Sequence, residues 1–409
     1  MEKGQVGGVV VGKEKIRTII SADDIVLLAE REAELKEMMK RFRKYLEKKE
    51  LSLSADKSKV LVFENGRGRR KKREWKWKEE NIEEVKEIRY LGYTLQKNGG
   101  AEKHTRKRLR RATIAMKRTW SIGERIFKED FRRRIKMFEA LVGSVALYGA
   151  EVWGWRDEKT LDGIKRKYTK WILNLDRGTP NYILLEETKM EEIRIQAIKR
   201  ALRYEEKARQ SGKKIVKECI RDLEKRRPEA EEGKWERKRK KMLEEAGINK
   251  EQLRRERETG NEEITENILK ELKTRESRRR QQKINESRYN TDYKAIIPEE
   301  RPKYLEGRMK KKDRCLIARY RCGNETRGSQ YWREEAERRC RICKREEESL
   351  YHMIKECEAT KSEMTLEEII GEEGKGLQTM KRIEKVRMKT TTNEKEEREN
   401  SKKKEAKES

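Results

Sequence analysis

The apolar residues of this chain are unevenly placed. Runs able to build a core fall between residues 6 and 190, and beyond that point Glu, Lys and Arg dominate. Folding is driven by withdrawing apolar surface from water, so the sequence predicts a folded N-terminal part and a poorly packed remainder. The composition agrees: only 33% of residues are hydrophobic, against roughly 45–50% in ordinary globular domains.

Charge is the second constraint. With 109 Lys and Arg against 78 Asp and Glu, the formal net charge is +31 at pH 7. A balance of this size favours nucleic acid or another anionic surface, because each cation that neutralises a phosphate releases a counterion. For residues 193–300 a solvated helical region laced with salt bridges accounts for the same composition. The stretch Leu141 to Trp155 is interrupted by Glu151 and is shorter than the about 20 apolar residues a membrane span needs. Val9-Val10-Val11 lacks the longer apolar run and cleavage site of a signal peptide. The expectation is an intracellular chain, nuclear or cytoplasmic, whose six cysteines are metal ligands or spare thiols rather than disulfides.

Periodicity sets the local expectations. Ile16 to Ile20 and Ile25 to Leu28, separated by Ser21-Ala22-Asp23-Asp24, read as a β-hairpin with two adjacent carboxylates at its tip. From Glu32 to Lys49, residues Leu35, Met38, Met39, Phe42, Tyr45 and Leu46 recur at helical spacing on one face. Leu51 to Leu53, Val60 to Phe63 and Ile88 to Leu95 read as short strands. Lys103 to Arg118 reads as a cationic helix without an acid, in which His104 is a surface residue. Helices follow over Phe131 to Tyr148, with Gly149 as its cap, and over Leu161 to Leu175, before Pro180. Solvated helices and linkers are expected after about Cys219, and disorder from about Lys385.

Three clusters of residues carry possible chemistry. Adjacent carboxylates on a rigid turn, Asp23 and Asp24, suit divalent metal binding of the kind two-metal nucleotidyl transfer uses. Ordinary turn chemistry also explains them. Between Arg67 and Lys78 lie eight basic residues and two tryptophans. Arg69, Arg70, Lys71, Lys72 and Arg73 would meet phosphates while bases stack on Trp75 and Trp77. The alternative is an exposed hairpin whose tryptophans cover a sheet edge. Arg106, Lys107, Arg108, Arg110 and Arg111 extend the cationic surface along the helix. Finally, Cys340-x2-Cys343-x8-His352-x4-Cys357 has the spacing of a structural zinc site, set against four unrelated residues in an exposed helix. Cys315 and Cys322 lack that close pairing, and Cys219 is an unassigned thiol.

The order of Ser21 to Glu30, the amphipathic helix, Leu51 to Phe63 and Tyr90-Leu91-Gly92-Tyr93-Thr94-Leu95 resembles the reverse transcriptase of insect non-LTR retrotransposons, of the Jockey-like and related lineages. The likeness continues through Ala140 to Trp155 and Asp176 to Pro180. It implies RNA-templated DNA synthesis with Mg2+, dNTPs, an RNA template and a DNA primer. By position, Asp23 and Asp24 would bind the Mg2+ pair, Lys57 would donate a proton to pyrophosphate with Lys59 as a lesser substitute, and Leu91-Gly92 would contact the primer. A Cys-Cys-His-Cys element after the polymerase domain is also part of the resemblance and implies Zn2+.

Two departures accompany it. Ser21 stands where the family usually has an aromatic residue, most often Tyr. The family's fingers, its third metal-binding aspartate and its Pro-Gln-Gly segment precede the hairpin, where about 20 residues stand here. Two carboxylates hold a metal pair poorly, so this chain alone is expected not to polymerise. The resulting expectation is an α+β chain. Its parts are a partial palm over 1–100, a helical thumb-like region over 101–200, a charged helical or linker region over 201–310, a zinc-binding element over 311–365 and a mostly disordered tail over 366–409. Its rivals are a non-catalytic nucleic-acid-binding remnant or host-recruited protein, and a reading frame that yields little folded protein.

Overall fold

The computed structural model describes residues 6–64, 73–156, 159–225, 234–258, 263–288, 290–328, 330, 332–371 and 373–408. The strands come first: β1 (Val9–Val11), β2 (Glu14–Ile16), β3 (Thr18–Ser21) and β4 (Asp24–Leu27). Helix α1 (Glu32–Lys48) separates these from β5 (Lys59–Leu61), β6 (Lys76–Trp77), β7 (Glu80–Asn81), β8 (Glu83–Val85), β9 (Glu87–Tyr90) and β10 (Tyr93–Gln96). Helices then dominate: α2 (Glu102–Ile126), α3 (Phe131–Phe138), α4 (Ser144–Ala146), α5 (Ala150–Trp153), α6 (Lys159–Ile172), α7 (Asn181–Thr188) and α8 (Ile193–Arg209). They continue as α9 (Lys214–Lys225), α10 (Lys234–Glu245), α11 (Lys250–Glu258), α12 (Ile264–Glu286), α13 (Lys311–Arg321), α14 (Glu335–Arg338), α15 (Leu366–Ile370) and α16 (Leu377–Glu408). Among the described residues no helix is long and apolar enough to cross a membrane.

The chain divides into two compact units. The first comprises Met1–Arg108, Gly149–Asp157 and Ala197–Ile268. In it β3 and β4 form the expected antiparallel hairpin, with Thr18 opposite Leu27 and Ser21 opposite Asp24. Helix α1 buries Met38, Met39, Phe42 and Leu46, while Glu32 with Lys36 and Glu37 with Arg41 pair four residues apart. The core of this unit gathers Met39, Phe42, Leu46, Val60, Trp75, Trp77 and Ile82, with Leu27, Leu35, Leu53 and Val62 against it.

Three local expectations change here. Leu51 to Leu53 is not a strand, because Leu51 closes α1. Glu50 turns left-handed at φ 55, its N–H donates to Glu47 and that of Leu51 to Leu46, the pattern that satisfies the last carbonyls of a helix. Ile88 to Leu95 is not one strand but the hairpin β9–β10, with Tyr90 opposite Tyr93 and Leu91 and Gly92 at φ 44 and 77 in its turn. His104 is not a surface residue: it is 1% exposed and stacks on Tyr93 at 4.0 Å.

The second unit comprises Leu109–Tyr148, Glu158–Gln196 and Leu269–Ser409. Asp130 caps α3 by accepting from the Arg133 N–H. The helix expected over Phe131 to Tyr148 is interrupted by a π-helical turn at Glu139–Gly143. Gly149, assigned to the first unit, stands at φ 72 after it, in the left-handed conformation expected of a cap. Phe138 packs on Tyr168 at 4.8 Å, and Trp120 meets Tyr168 and Trp171 edge-on. Glu187, fully buried on α7, accepts from Tyr293 Oη (3.0 Å), Tyr304 Oη (2.6 Å) and both Nε (2.6 Å) and Nη2 (3.0 Å) of Arg321.

The expected disordered tail is helical through Glu408 in the described backbone. Thr365 and Glu368 form a capping box for α15, and Ile369, Ile370, Met380 and Ile383 are fully buried. A few apolar residues at helical spacing suffice to dock a segment whose average composition reads as solvated.

Trp77→Ala removes a buried indole from the first unit's core and should cost about 3–5 kcal/mol, read as a lower midpoint of denaturant unfolding. In the second unit, burial and then the neighbouring Glu192 charge push the Asp162 carboxyl from 3.8 up to about 7, outweighing Arg194 and Arg166. The folded state therefore binds the proton more tightly than the unfolded state, and stability is lost as pH rises from 3.8 to about 7. Asp162→Asn should remove that part of the decline, measured as unfolding free energy against pH for the two proteins.

Candidate functional site

The β3–β4 turn holds the first candidate. Ala22 adopts φ 55, a left-handed conformation that an L-residue enters at a cost of roughly 1–2 kcal/mol. The turn places Asp23 and Asp24 side by side, both exposed. The cross-strand pair Ile20 and Ile25 is also exposed, at 62% and 41%. Lys57 lies in an exposed turn before β5, with no hydrogen bond or ion pair to either aspartate. Lys59 pairs with Glu83 at 3.0 Å. Among the described residues no third His, Cys, Asp or Glu joins Asp23 and Asp24 in a group able to hold a metal. Two carboxylates are too few for the ion pair that two-metal chemistry requires.

The basic loop is not the stacking platform its composition suggests. Arg69, Arg70, Lys71 and Lys72 lie outside the described residues. Trp75 and Trp77 are 3% and 7% exposed, packed under α1 with Phe42 and Trp77 centroids 6.0 Å apart. The Trp75 indole N–H donates to Glu84 at 3.0 Å. Their rings are therefore core, and bases cannot stack on them. Arg73 is held by Glu64 at 2.6 Å and by Glu84 at 3.4 Å, so it neutralises carboxylates rather than phosphates. The acidic partners Glu64 and Glu84 lie just outside Arg67 to Lys78 on either side, which is why the composition of the run itself misleads.

Helix α2 sorts its cations by face. Arg106, Arg110 and Arg111 are exposed and make no hydrogen bond or ion pair among the described residues. Lys107 pairs with Glu87 at 2.9 Å. Arg108 is buried to 8% exposure and donates from Nη2 to the Gly92 carbonyl at 2.6 Å, which removes it from any phosphate-binding surface. Leu91 stands at the tip of that turn, 52% exposed.

Among the described residues of the second unit, one group of side chains could hold a metal ion. One ligand atom each from Cys340, Cys343, His352 and Cys357 lies within 4.8 Å of the others. Cys340, His352 and Cys357 are buried, and Lys344 at φ 61 closes the turn after Cys343. In an α-helix, His352 and Cys357 would point about 140° apart, five residues at about 100° each. Here His352–Glu356 is a π-helical turn in which the Cys357 N–H donates to the His352 carbonyl at 2.8 Å, and that wider turn brings both ligands to one side.

Cys343 Sγ lies 3.3 Å from His352 Nε2, close to the about 3.5 Å edge of a tetrahedron with Zn–S near 2.3 Å and Zn–N near 2.0 Å. His352 Nδ1 faces Glu356 Oε2 at 3.1 Å, which orients the ring and leaves Nε2 for a metal. Burial pushes the Cys340 thiol up to about 11. At Cys343 burial is outweighed by the N–H groups of Arg345 and Glu346 and by hydrogen bonds from Cys340 and His352, and its thiol falls to about 7. The donor set, its packing and its oriented histidine fit zinc.

A layer of ion pairs that includes Arg341 and Glu348, which lie between Cys340 and His352 in the sequence, accompanies this cluster. Fully buried Glu348 binds Arg341 at 2.6 Å and Arg387 of α16 at 3.3 Å. Arg387 also pairs with Glu325 at 2.9 Å. Glu356, four residues after His352, was the one part of this layer with a sequence signal, since that spacing is one helical turn.

Residues 9–95 match the family model of reverse transcriptase (RNA-dependent DNA polymerase). That stretch carries Asp23, Asp24, Lys57, Leu91 and Gly92 together. No curated protein and no solved structure matches this sequence. The similarity to reverse transcriptase therefore lies in the N-terminal part of the chain.

Cys343→Ser should release zinc from the purified protein and loosen the segment around residues 335–360. Metal content by atomic emission, alongside protease sensitivity of that segment, checks this; unchanged zinc in the variant would refute the ligand assignment.

Proposed function

We propose that this chain is the C-terminal portion of an RNA-directed DNA polymerase of a non-LTR retrotransposon, of the Jockey-like or a related lineage. Its parts would be a partial palm over 1–100, a thumb-like region over 101–200, a charged region over 201–310, a zinc-binding element over 311–365 and a charged tail over 366–409. Its partners would be an RNA template and a DNA primer. The observation that carries this reading is the family match over residues 9–95, in which the hairpin turn presents Asp23 and Asp24. Arg106, Arg110 and Arg111, exposed and unpaired among the described residues, support nucleic-acid binding, because such cations gain most from counterion release.

In this reading Asp23 and Asp24 are magnesium ligands of an incomplete set, Lys57 is a proton donor to the leaving pyrophosphate, and Leu91-Gly92 touches the primer. The Cys340, Cys343, His352 and Cys357 element would bind zinc and stabilise a nucleic-acid-engaging surface. Polymerisation then requires a further carboxylate beside the turn. A second reading, a nucleic-acid-binding protein in which Asp23 and Asp24 do no chemistry, is favoured by the absence of a third ligand among the described residues.

The full chain should bind a primed RNA template in a salt-dependent manner yet fail to extend the primer with Mg2+ and dNTPs. Magnesium-dependent extension abolished by Asp24→Ala would overturn the incompleteness. Replacing both Arg110 and Arg111 by Ala should reduce the slope of log affinity against log salt by about 2, measured by fluorescence anisotropy.

A further inference from the structure

The turn between β9 and β10 is built against its own preference. Two-residue hairpin turns with both central residues at positive φ favour Asn-Gly or Asp-Gly, and here Leu91 occupies the first position at φ 44. Its side chain is 52% exposed, so burial does not repay the strained backbone. Residues held in such conformations persist where the surroundings over-determine them, and they cluster at binding sites.

The surroundings are on α2. Arg108 Nη2 donates to the Gly92 carbonyl at 2.6 Å. One turn earlier, His104 Nδ1 accepts the Thr94 backbone N–H at 3.1 Å. The His104 ring lies on Tyr93 with centroids 4.0 Å apart and planes at 17°. Gly149 backs the same pair: a Cβ there would fall 2.8 Å from the Tyr93 ring and 3.3 Å from His104 Nε2. Residues 92, 93 and 94 are thus gripped in succession by two side chains that are 8% and 1% exposed, while Leu91 is 52% exposed.

We infer that His104 and Arg108 are positioning residues that lock the Leu91-Gly92 turn so that the apolar Leu91 side chain meets the sugars and base edges of a bound primer strand. This rests on the nucleic-acid reading above. The grip explains why two residues of a cationic helix are buried: they hold a backbone turn, while their exposed neighbours meet phosphates. Polar side chains that bind backbone atoms in a buried setting fix geometry more tightly than exposed ones.

The test uses the full chain and a primer–template hybrid of DNA on RNA whose primer carries 4-thiothymidine near its 3′ end. Binding is read by anisotropy, and photocross-linking to the peptide containing Leu91 is read by mass spectrometry per bound complex. The wild type should cross-link there. Arg108→Met and His104→Phe should each lower the yield per complex by about tenfold, the scale of losing one hydrogen bond to a buried partner, with Arg108→Lys restoring much of it. Amide exchange at Thr94 should quicken in His104→Phe while helical circular dichroism is kept. Unchanged yield in both variants, or wild-type binding without cross-linking at Leu91, overturns the inference and leaves the binding reading standing. Absence of any binding by the wild type overturns the binding reading and this inference with it.

Discussion

The second unit depends on a charge that has no access to water. Glu187 is fully buried, and so is the guanidinium of Arg321 that neutralises it, with Tyr293 and Tyr304 donating to the remaining lone pairs. Removing one partner from such an arrangement strands a buried charge, at a cost of roughly 3–5 kcal/mol, so α7, α13 and the two tyrosine-bearing segments can dock only in mutual register. The same device recurs. Glu205 in the first unit is gripped by Arg239 and Arg257, and Glu348 near the cysteines by Arg341 and Arg387. A chain short of apolar residues assembles its interior from buried ion pairs as well as from hydrocarbon.

That device limits what composition can convey. The β3–β4 hairpin and the apolar face of α1 were legible because each depends on residues close together in sequence: alternation in one, three- and four-residue spacing in the other. Cys340, Cys343, His352 and Cys357 were legible as a donor set, since ligand chemistry is encoded by residue type. Trp75 and Trp77 were misread because their basic neighbours suggested solvent, whereas Glu64 and Glu84, which hold Arg73 and Trp75, come from other segments. Leu51 looked like strand and serves as a helix stop, since a Leu cannot announce that the residue before it turns left-handed. His104 looked like one more polar residue on a cationic helix. Its burial depends on Tyr93 and on Gly149, some 45 positions away.

The two candidate sites differ in how much of their geometry lies within the described residues. At the cysteine cluster four candidate ligands and an oriented histidine ring come together. At the Asp23-Asp24 turn the backbone is shaped and the carboxylates are presented, but the surrounding ligands are not there to complete a two-ion site. The match to reverse transcriptase over residues 9–95 thus coexists with the absence, among the described residues, of a third ligand beside Asp23 and Asp24.

The π-helical turn between His352 and Cys357 has a consequence for how this element can vary over generations. Its wider hydrogen-bonding ring accommodates one residue more than an α-turn would, and that extra residue is what lets a five-residue spacing close on one side. Substitutions at the outward positions of the turn leave the spacing intact. An in-frame loss or gain of a single codon between the two ligands changes the winding and swings one of them away. The segment is thus far more tolerant of altered letters than of altered length, and descendants of this sequence should diverge in the identity of these residues well before they diverge in their number.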